Sequence, residues 1–159
     1  MKLKKIFNIS TIIVIIDQII KFLITANFNV DEGVILIPGF FSIVRVHNTG
    51  AAWSIMSENT LILILLSLVA LVAIYFFFIK NNKLGKIESI TIGALIGGIL
   101  GNLIDRVFRG YVVDYLFFQI FEYNFPVFNF ADICIVISAI VLLFLQLRGS
   151  RENENNKNQ

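Results

Sequence analysis

Residues 61–79 have the sequence LILILLSLVALVAIYFFFI and contain no ionisable side chain. A membrane core of about 30 Å is crossed by a helix of about 20 apolar residues, so this stretch predicts a transmembrane helix. The whole chain agrees, because 57% of its 159 residues are hydrophobic and 15% are charged, with a mean hydropathy of +0.84. A soluble domain carries about 25% charged residues. The excess apolar surface must face lipid.

Three further apolar segments occur along the chain, at 6–28, 87–104 and 125–147. With 61–79 they predict four transmembrane helices. We therefore expect an all-α membrane protein, a four-transmembrane-helix bundle that forms a single domain over residues 1–148. A chain of this composition is not expected to fold as a soluble domain.

The positive charges of the chain are concentrated at one set of helix ends. The residues concerned are Lys2, Lys4, Lys5, Lys80, Lys83, Lys86, Arg148, Arg151 and Lys157. Four spans place all of them on the same side, and the positive-inside rule makes that side the cytoplasm. We expect both termini to be cytoplasmic and the polar tail at 149–159 to be disordered.

The first outer segment, at 29–59, is predicted to contain a small extracytoplasmic β element. Residues 34–37 are apolar and are followed by Pro38-Gly39, which is a turn signal. Residues 41–47 are rich in β-branched and aromatic side chains, as strands are. These short strands are expected to lie on the membrane surface.

The third apolar segment carries glycines at a regular spacing. Gly93, Gly97 and Gly101 are four residues apart, and Gly98 lies beside them. Small residues at this spacing allow helices to pack closely in lipid. The pattern predicts close helix packing and by itself indicates no chemistry.

Two ionisable residues, Asp17 and Lys21, interrupt the first apolar segment. A charge inside a membrane helix is costly unless it is paired or faces water. The two side chains share one helix face, so they form either an ion pair that orients the helix or a contact with substrate or catalytic groups. The interruption, and the lack of a following A-x-A site, also favour a retained helix over a cleaved secretory signal.

Five more polar residues fall in the outer half of the predicted bundle or at its outer surface. They are Asn102 and Asp105 in the third helix, Asp114 in the loop that follows, and Asn129 and Asp132 in the fourth helix. Polar groups from separate parts of a chain that converge on one depth are typical of a site. Two neighbouring carboxyl groups share a proton more readily than they both ionise. Asp114 and Asp132 are therefore the best candidates to hydrolyse a peptide bond by acid–base catalysis.

Other chemistries have weaker support in the sequence. A serine–lysine dyad would pair Ser54 or Ser57 with Lys21, but no G-x-S-x-G motif is present. One histidine, His47, and one cysteine, Cys134, are too few for a typical zinc site, so no metal or cofactor is expected. Basic residues form no patch beyond the cytoplasmic flanks, so no nucleic-acid partner is expected.

Two interpretations without proteolysis stay open. Asp17, Lys21 and Asp132 could form the relay of an ion or proton transporter, although the chain shows no internal repeat and no broken helix. The chain could also be a scaffold whose buried charges only specify helix pairing. A scaffold would tolerate Asp114→Asn, because Asp114 lies outside the predicted helices.

Five short motifs occur in order along nearly the whole chain. They are Asp17-Gln18 with Lys21, NTGAAWS at 48–54, GNLIDR at 101–106, GYVVDY at 110–115 and FNFAD at 128–132. This ordered set resembles the motifs of the lipoprotein signal peptidase family, also called signal peptidase II. The family pattern usually has Phe where this chain has Tyr115 and often Phe where it has Trp53, and all of these side chains are aromatic.

The resemblance implies a four-helix protease of the bacterial cell membrane. Such an enzyme removes signal peptides from prolipoproteins and cuts before a diacylglyceryl-modified cysteine. The implied catalytic residues are Asp114 and Asp132, and which of them is the base stays open because a coupled pair titrates together. The supporting or substrate-binding residues are expected to be Asp17, Lys21, Asn48, Asn102, Asp105, Arg106 and Asn129.

The resemblance also implies partners and an orientation. Lipid-modified prolipoproteins and membrane lipids are the expected partners, and no cofactor is implied. We expect a monomer whose active site faces the extracytoplasmic side of the membrane.

Overall fold

The computed structural model describes residues 2–50, 59–80 and 84–157. Within these residues, four helices are each long and apolar enough to cross a membrane, namely Lys2–Asn27, Thr60–Ile79, Lys86–Arg109 and Phe130–Arg148. A small antiparallel sheet accompanies them. The predicted fold class is therefore confirmed. Trp53, Ser54 and Ser57, which the sequence-based hypotheses mention, lie outside the described residues.

The third helix is the centre of the bundle. The helices are α1 (Lys2–Asn27), α2 (Thr60–Ile74), α3 (Lys86–Arg109) and α4 (Phe130–Lys157), and a π-helical turn, Tyr75–Ile79, continues α2. α3 packs against α1, α4 and α2. Most of the large side chains on the outer faces of the helices are apolar and exposed. This is the arrangement expected of helices surrounded by lipid.

The fourth helix begins five residues later than the hydropathy pattern predicts. Residues 125–129 are apolar enough to be included in the predicted span, but they lie outside α4. The N–H of Phe125 donates to the carbonyl of Phe118 at 2.9 Å, and the N–H of Phe128 donates to that of Leu116 at 3.1 Å. This segment therefore pairs with a strand instead of starting the helix. Hydropathy could not predict this difference, because an apolar residue fits either structure.

α4 continues to Lys157, so the structure assigns helix to residues 149–157 of the tail that the sequence predicts to be disordered. Arg, Glu and Lys have good helix propensity, and adding a residue to an existing helix costs little compared with starting one. α3 also extends beyond the predicted 87–104 and ends at Arg109, because continuing an existing helix costs little. Gly110 then stops it with a left-handed backbone, at φ 81°.

The sheet has four strands in the order β1-β2-β3-β4, which are β1 (Gly33–Ile37), β2 (Phe41–Asn48), β3 (Val112–Ile120) and β4 (Tyr123–Asn124). β1 and β2 occupy the positions that the sequence pattern predicts. β3 was expected as a loop, but it is a strand that pairs antiparallel with β2. Its run of β-branched and aromatic residues favours a strand. The pairing sets Val46 opposite Asp114 and Asn48 opposite Val112.

Close helix contacts explain the glycine spacing in α3. A Cβ atom on Gly97 would lie 2.6 Å from Cβ of Ile13 in α1. A Cβ atom on Gly98 would lie 2.6 Å from the carbonyl oxygen of Ala131 in α4. The two glycines therefore allow α1 and α4 to pack on α3 at distances that a side chain would prevent.

We expect Gly97→Leu to destabilise the protein, because the new side chain must push α1 away from α3. Overpacking of this kind costs about 1–3 kcal/mol or more. Thermal unfolding in detergent measures the effect. Ala139→Leu is the matched control, because Ala139 is an exposed position of α4. Equal melting temperatures for the two variants would contradict the packing interpretation.

Candidate active site

Asp114 and Asp132 line the same cavity, which has a volume of about 450 Å³. Asp114 belongs to β3, and its residue is 2% exposed. Asp132 belongs to the first turn of α4 and is partly buried. The other polar residues of the cavity are Asn48, Asn102 and Arg106. The structure therefore brings together two carboxyl groups that are 18 residues apart in the sequence.

Backbone pairing between β3 and the segment before α4 brings the two aspartates close. The N–H groups of Tyr115 and Leu116 donate to the carbonyl of Phe128 at 3.0 and 2.8 Å. The N–H of Phe128 donates back to the carbonyl of Leu116 at 3.1 Å. Asp114 precedes this ladder on one side, and Asp132 follows it on the other. A short piece of sheet therefore contributes to the spacing of the two carboxyl groups.

Asn129 and Asp132 cap the start of α4 reciprocally. The N–H of Asp132 donates to Oδ1 of Asn129 at 3.0 Å, and the N–H of Asn129 donates to Oδ2 of Asp132 at 3.1 Å. This is the geometry of a capping box, in which each side chain takes a backbone N–H of the other residue. The carboxylate of Asp132 therefore lies at a helix N-terminus, where a negative charge is favoured.

Three asparagine amides hold the two carboxyl groups. Nδ2 of Asn48 donates to Oδ2 of Asp114 at 2.8 Å, and Nδ2 of Asn129 donates to Oδ1 of Asp114 at 2.6 Å. Nδ2 of Asn102 donates to Oδ1 of Asp132 at 2.7 Å. Both carboxyl groups are thus oriented by neutral donors, and none of these contacts forms an ion pair that would fix either one as an anion.

A buried lysine stands behind this layer of amides. Nζ of Lys21 contacts Oδ2 of Asp17 at 2.8 Å and Oδ2 of Asp105 at 3.0 Å, and it donates to Oδ1 of Asn102 at 2.9 Å. An ammonium group has three N–H donors, so this set uses all of them. Asp17, Lys21 and Asp105 are all 0% exposed. The ion pair expected between Asp17 and Lys21 is present, and Asp105 joins it.

The two supporting aspartates bind the backbone next to the two catalytic candidates. The N–H of Val113, which precedes Asp114, donates to Oδ2 of Asp105 at 3.1 Å. The N–H of Ala131, which precedes Asp132, donates to Oδ1 of Asp17 at 3.2 Å. Lys21 therefore connects, through Asp17 and Asp105, the two backbone segments that carry the site.

Gln18, which was not predicted to be a site residue, completes this buried network. Its Nε2 lies 3.2 Å from Oδ2 of Asp17, from Oδ1 of Asp105 and from the carbonyl oxygen of Gly101. The signal available in the sequence was an amide directly beside Asp17 within an apolar helix. Gly101 has a matching role, because a Cβ atom there would lie 2.5 Å from the Asp17 carboxylate.

Arg106 reaches the cavity from the end of α3. Its Nη2 donates to the carbonyl oxygen of Gly50 at 3.2 Å. Its Nε is buried and has no hydrogen-bond partner within the described residues. Three of the predicted supporting residues line the cavity, namely Asn48, Asn102 and Arg106. The buried residues Asp17, Lys21 and Asp105 lie behind it.

The environment of Asp114 changes its acidity. Burial, followed by the negative charge of Asp132, raises the pKa of Asp114 from 3.8 to about 7. The hydrogen bonds from Asn48 and Asn129 oppose this rise. Asp114 can therefore hold or release a proton near neutral pH, which suits a group in acid–base catalysis. Among the described residues, no three His, Cys, Asp or Glu side chains lie together as metal ligands.

Known proteins are similar to this chain in sequence and in fold. The family model for Signal peptidase (SPase) II matches residues 9–148. A lipoprotein signal peptidase of Staphylococcus aureus is 33% identical over 147 residues, which cover 92% of this chain and 90% of that protein. Two solved structures of bacterial membrane enzymes match with TM-scores of 0.83 and 0.79, at 34% and 35% identity. They cover 91% and 89% of this chain, and 88% and 92% of the matched chains.

We expect Lys21→Met to destabilise the protein strongly, because two buried carboxylates lose their cation. Removal of one partner from a buried ion pair costs about 3–5 kcal/mol. Thermal unfolding in detergent measures the loss. Lys4→Met is the control, because Lys4 is an exposed lysine of the same helix. A melting temperature for Lys21→Met equal to that of the control would show that the network contributes little.

Proposed function

Because the chain belongs to the signal peptidase II family, we propose that it is an aspartyl endopeptidase of the bacterial cell membrane. It removes the signal peptide from prolipoproteins by cutting before a diacylglyceryl-modified cysteine. The observation that carries the proposal is the pair of carboxyl groups, Asp114 and Asp132, that line one cavity and are held by three asparagine amides.

The two aspartates take different roles in the first step. Asp132 lies at a helix N-terminus and accepts the backbone N–H of Asn129 at 3.1 Å. Asp114 accepts two side-chain amides, at 2.6 and 2.8 Å, and its pKa of about 7 keeps it largely protonated below neutral pH. Asp132 is therefore the base, and Asp114 is the acid.

Hydrolysis then follows with a balanced exchange of protons. Asp132 takes a proton from a water molecule as the water oxygen attacks the peptide carbonyl carbon, and Asp114 gives its proton to the carbonyl oxygen. The tetrahedral intermediate collapses when Asp132 returns its proton to the leaving nitrogen and the C–N bond breaks. Asp114 regains a proton from the hydroxyl group that becomes the new carbonyl.

The walls of the cavity suit a lipid-modified substrate. Ile133, Val136 and Ile137 of α4 line it on one side, and residues 125–128 line it on another. Val136 and Ile137 are more than half exposed on a membrane helix, so this side of the cavity is continuous with the lipid-facing surface. A substrate could therefore bring its acyl chains to the aspartates without leaving the bilayer.

The distribution of charge supports an orientation for the enzyme. Lysines at the start of α1 and around the link between α2 and α3 place those ends in the cytoplasm, together with the end of α4. Both termini are then cytoplasmic, and the dyad faces the extracytoplasmic side. We also propose that the enzyme acts as a monomer.

We expect Asp114→Asn and Asp132→Asn to lose cleavage by at least about hundredfold, because each removes one partner of the acid–base pair. The assay follows cleavage of a diacylglyceryl-modified prolipoprotein peptide by purified protein in detergent. Asp31→Asn is the control, because Asp31 is an exposed acid of the outer segment. Melting temperatures identify any variant that does not fold.

Two results would contradict the proposal. Full activity in a folded Asp114→Asn or Asp132→Asn variant would exclude the dyad and would restore the scaffold interpretation. A wild-type protein that does not cleave a verified substrate would exclude the peptidase activity itself. A wild-type sample with EDTA separates a metal-dependent reaction from an aspartyl one.

We expect the cleavage rate to fall as pH rises above about 7, because Asp114 then loses the proton that it must donate. The fall should approach tenfold for each pH unit once the group is mostly ionised. Rates at a fixed substrate concentration between pH 5.5 and about 9 test this expectation. A rate that continues to rise through pH 9 would exclude Asp114 as the proton donor.

A further inference from the structure

The hydroxyl group of Tyr115 has a polar partner in an otherwise apolar setting. Tyr115 directly follows Asp114 in β3 and is 4% exposed, packed with Ile24 and Val113. Its hydroxyl oxygen accepts a hydrogen bond from the backbone N–H of Phe130 at 3.1 Å. Phe130 is the first residue of α4.

The first N–H groups of α4 are each taken by a different part of the protein. The N–H of Phe130 binds Tyr115 of β3, that of Ala131 binds Asp17 of α1, and that of Asp132 binds its own cap, Asn129. The first N–H groups of any helix have no partner within the helix and must find one elsewhere. Here these partners decide where the first turn of α4 sits.

Tyr115 is the partner that connects this turn to the strand carrying Asp114. The backbone pairs between β3 and the segment before α4 end at Phe128. The bond from Phe130 to Tyr115 extends this connection by two residues, into the helix itself. One end of the bond is therefore next to Asp114, and the other end is two residues from Asp132.

We propose that Tyr115 is a positioning residue for the peptidase reaction, and that its hydroxyl group sets the separation of Asp114 and Asp132 by holding the first turn of α4 against β3. The inference rests on the proposed function of the two aspartates. Without the hydroxyl group, the N–H of Phe130 is buried without its partner, and the turn can move away from the strand. When the two carboxyl groups are further apart, the negative charge of Asp132 raises the pKa of Asp114 less.

The test compares Tyr115→Phe with wild type and with Tyr75→Phe. Tyr115→Phe removes one oxygen atom and keeps the ring, so the core packing is preserved. Tyr75→Phe makes the same chemical change in the π-helical turn after α2, at a residue that is 49% exposed. Hydrogen exchange at the N–H of Phe130 reports directly on the bond, and the N–H of Ile133, which donates to the carbonyl of Asn129, is the internal reference.

We expect exchange at Phe130 to accelerate roughly tenfold in Tyr115→Phe and to stay unchanged at Ile133. The kcat should fall roughly tenfold, because a small displacement of a catalytic group slows the chemical step. The KM should change by less than about twofold, because the substrate-lining side chains are intact. The alkaline limb of the pH profile should move to lower pH, because a more distant Asp132 raises the pKa of Asp114 less.

If Tyr115 only stabilises the fold, the kinetic parameters of Tyr115→Phe will differ from these expectations. If Tyr115→Phe keeps the kcat and the pH profile of wild type, the positioning role is excluded, whatever happens to the exchange rate. If exchange at Phe130 is also unchanged, the hydrogen bond itself is excluded. If wild type does not cleave the substrate, the proposed function fails, and the exchange measurement still tests the bond.

Discussion

The buried ammonium group of Lys21 is the interaction on which the rest of the site depends. A charge inside a membrane protein is tolerated only when its donors are satisfied and its charge is balanced. Lys21 meets both conditions through Asp17, Asp105 and Asn102. Such a group specifies one arrangement of its neighbours, because any displacement leaves a charge without its partner in a medium that cannot solvate it. The helices α1 and α3 are therefore fixed relative to each other at the depth of the site.

The ion pairs of Lys21 also fix the backbone next to Asp114 and Asp132. The aspartates that balance Lys21 use their remaining oxygen atoms to accept the N–H groups of Val113 and Ala131. These residues immediately precede Asp114 and Asp132. The charged layer thus positions the backbone of the site, and the asparagine amides position its carboxyl groups. Within the described residues the two carboxyl groups accept hydrogen bonds from neutral amides, and no cation is bound to either of them directly.

The environments of the two carboxyl groups differ although the residues are chemically identical. Asp132 benefits from the N-terminus of a 28-residue helix and from a reciprocal cap with Asn129. Asp114 lies in a strand, where no such dipole exists, and burial raises its pKa to about 7. In the proposed reaction, this difference places the proton on Asp114 before the water attacks. Placing one partner on a helix and the other on a strand is a simple way to make a pair of aspartates unequal.

The sequence alone determined the four membrane spans, the strands β1 and β2 and the set of polar residues that meet at one end of the bundle. Hydropathy and strand patterns are local, so the chain reports them directly. Only the tertiary structure decided that residues 112–120 form a strand, that α4 starts at Phe130, and which backbone N–H each buried aspartate accepts. The bond from Ala131 to Asp17 joins residues 114 positions apart. No local pattern encodes such a contact, because the packing of helices around the glycines of α3 must first bring the two residues together.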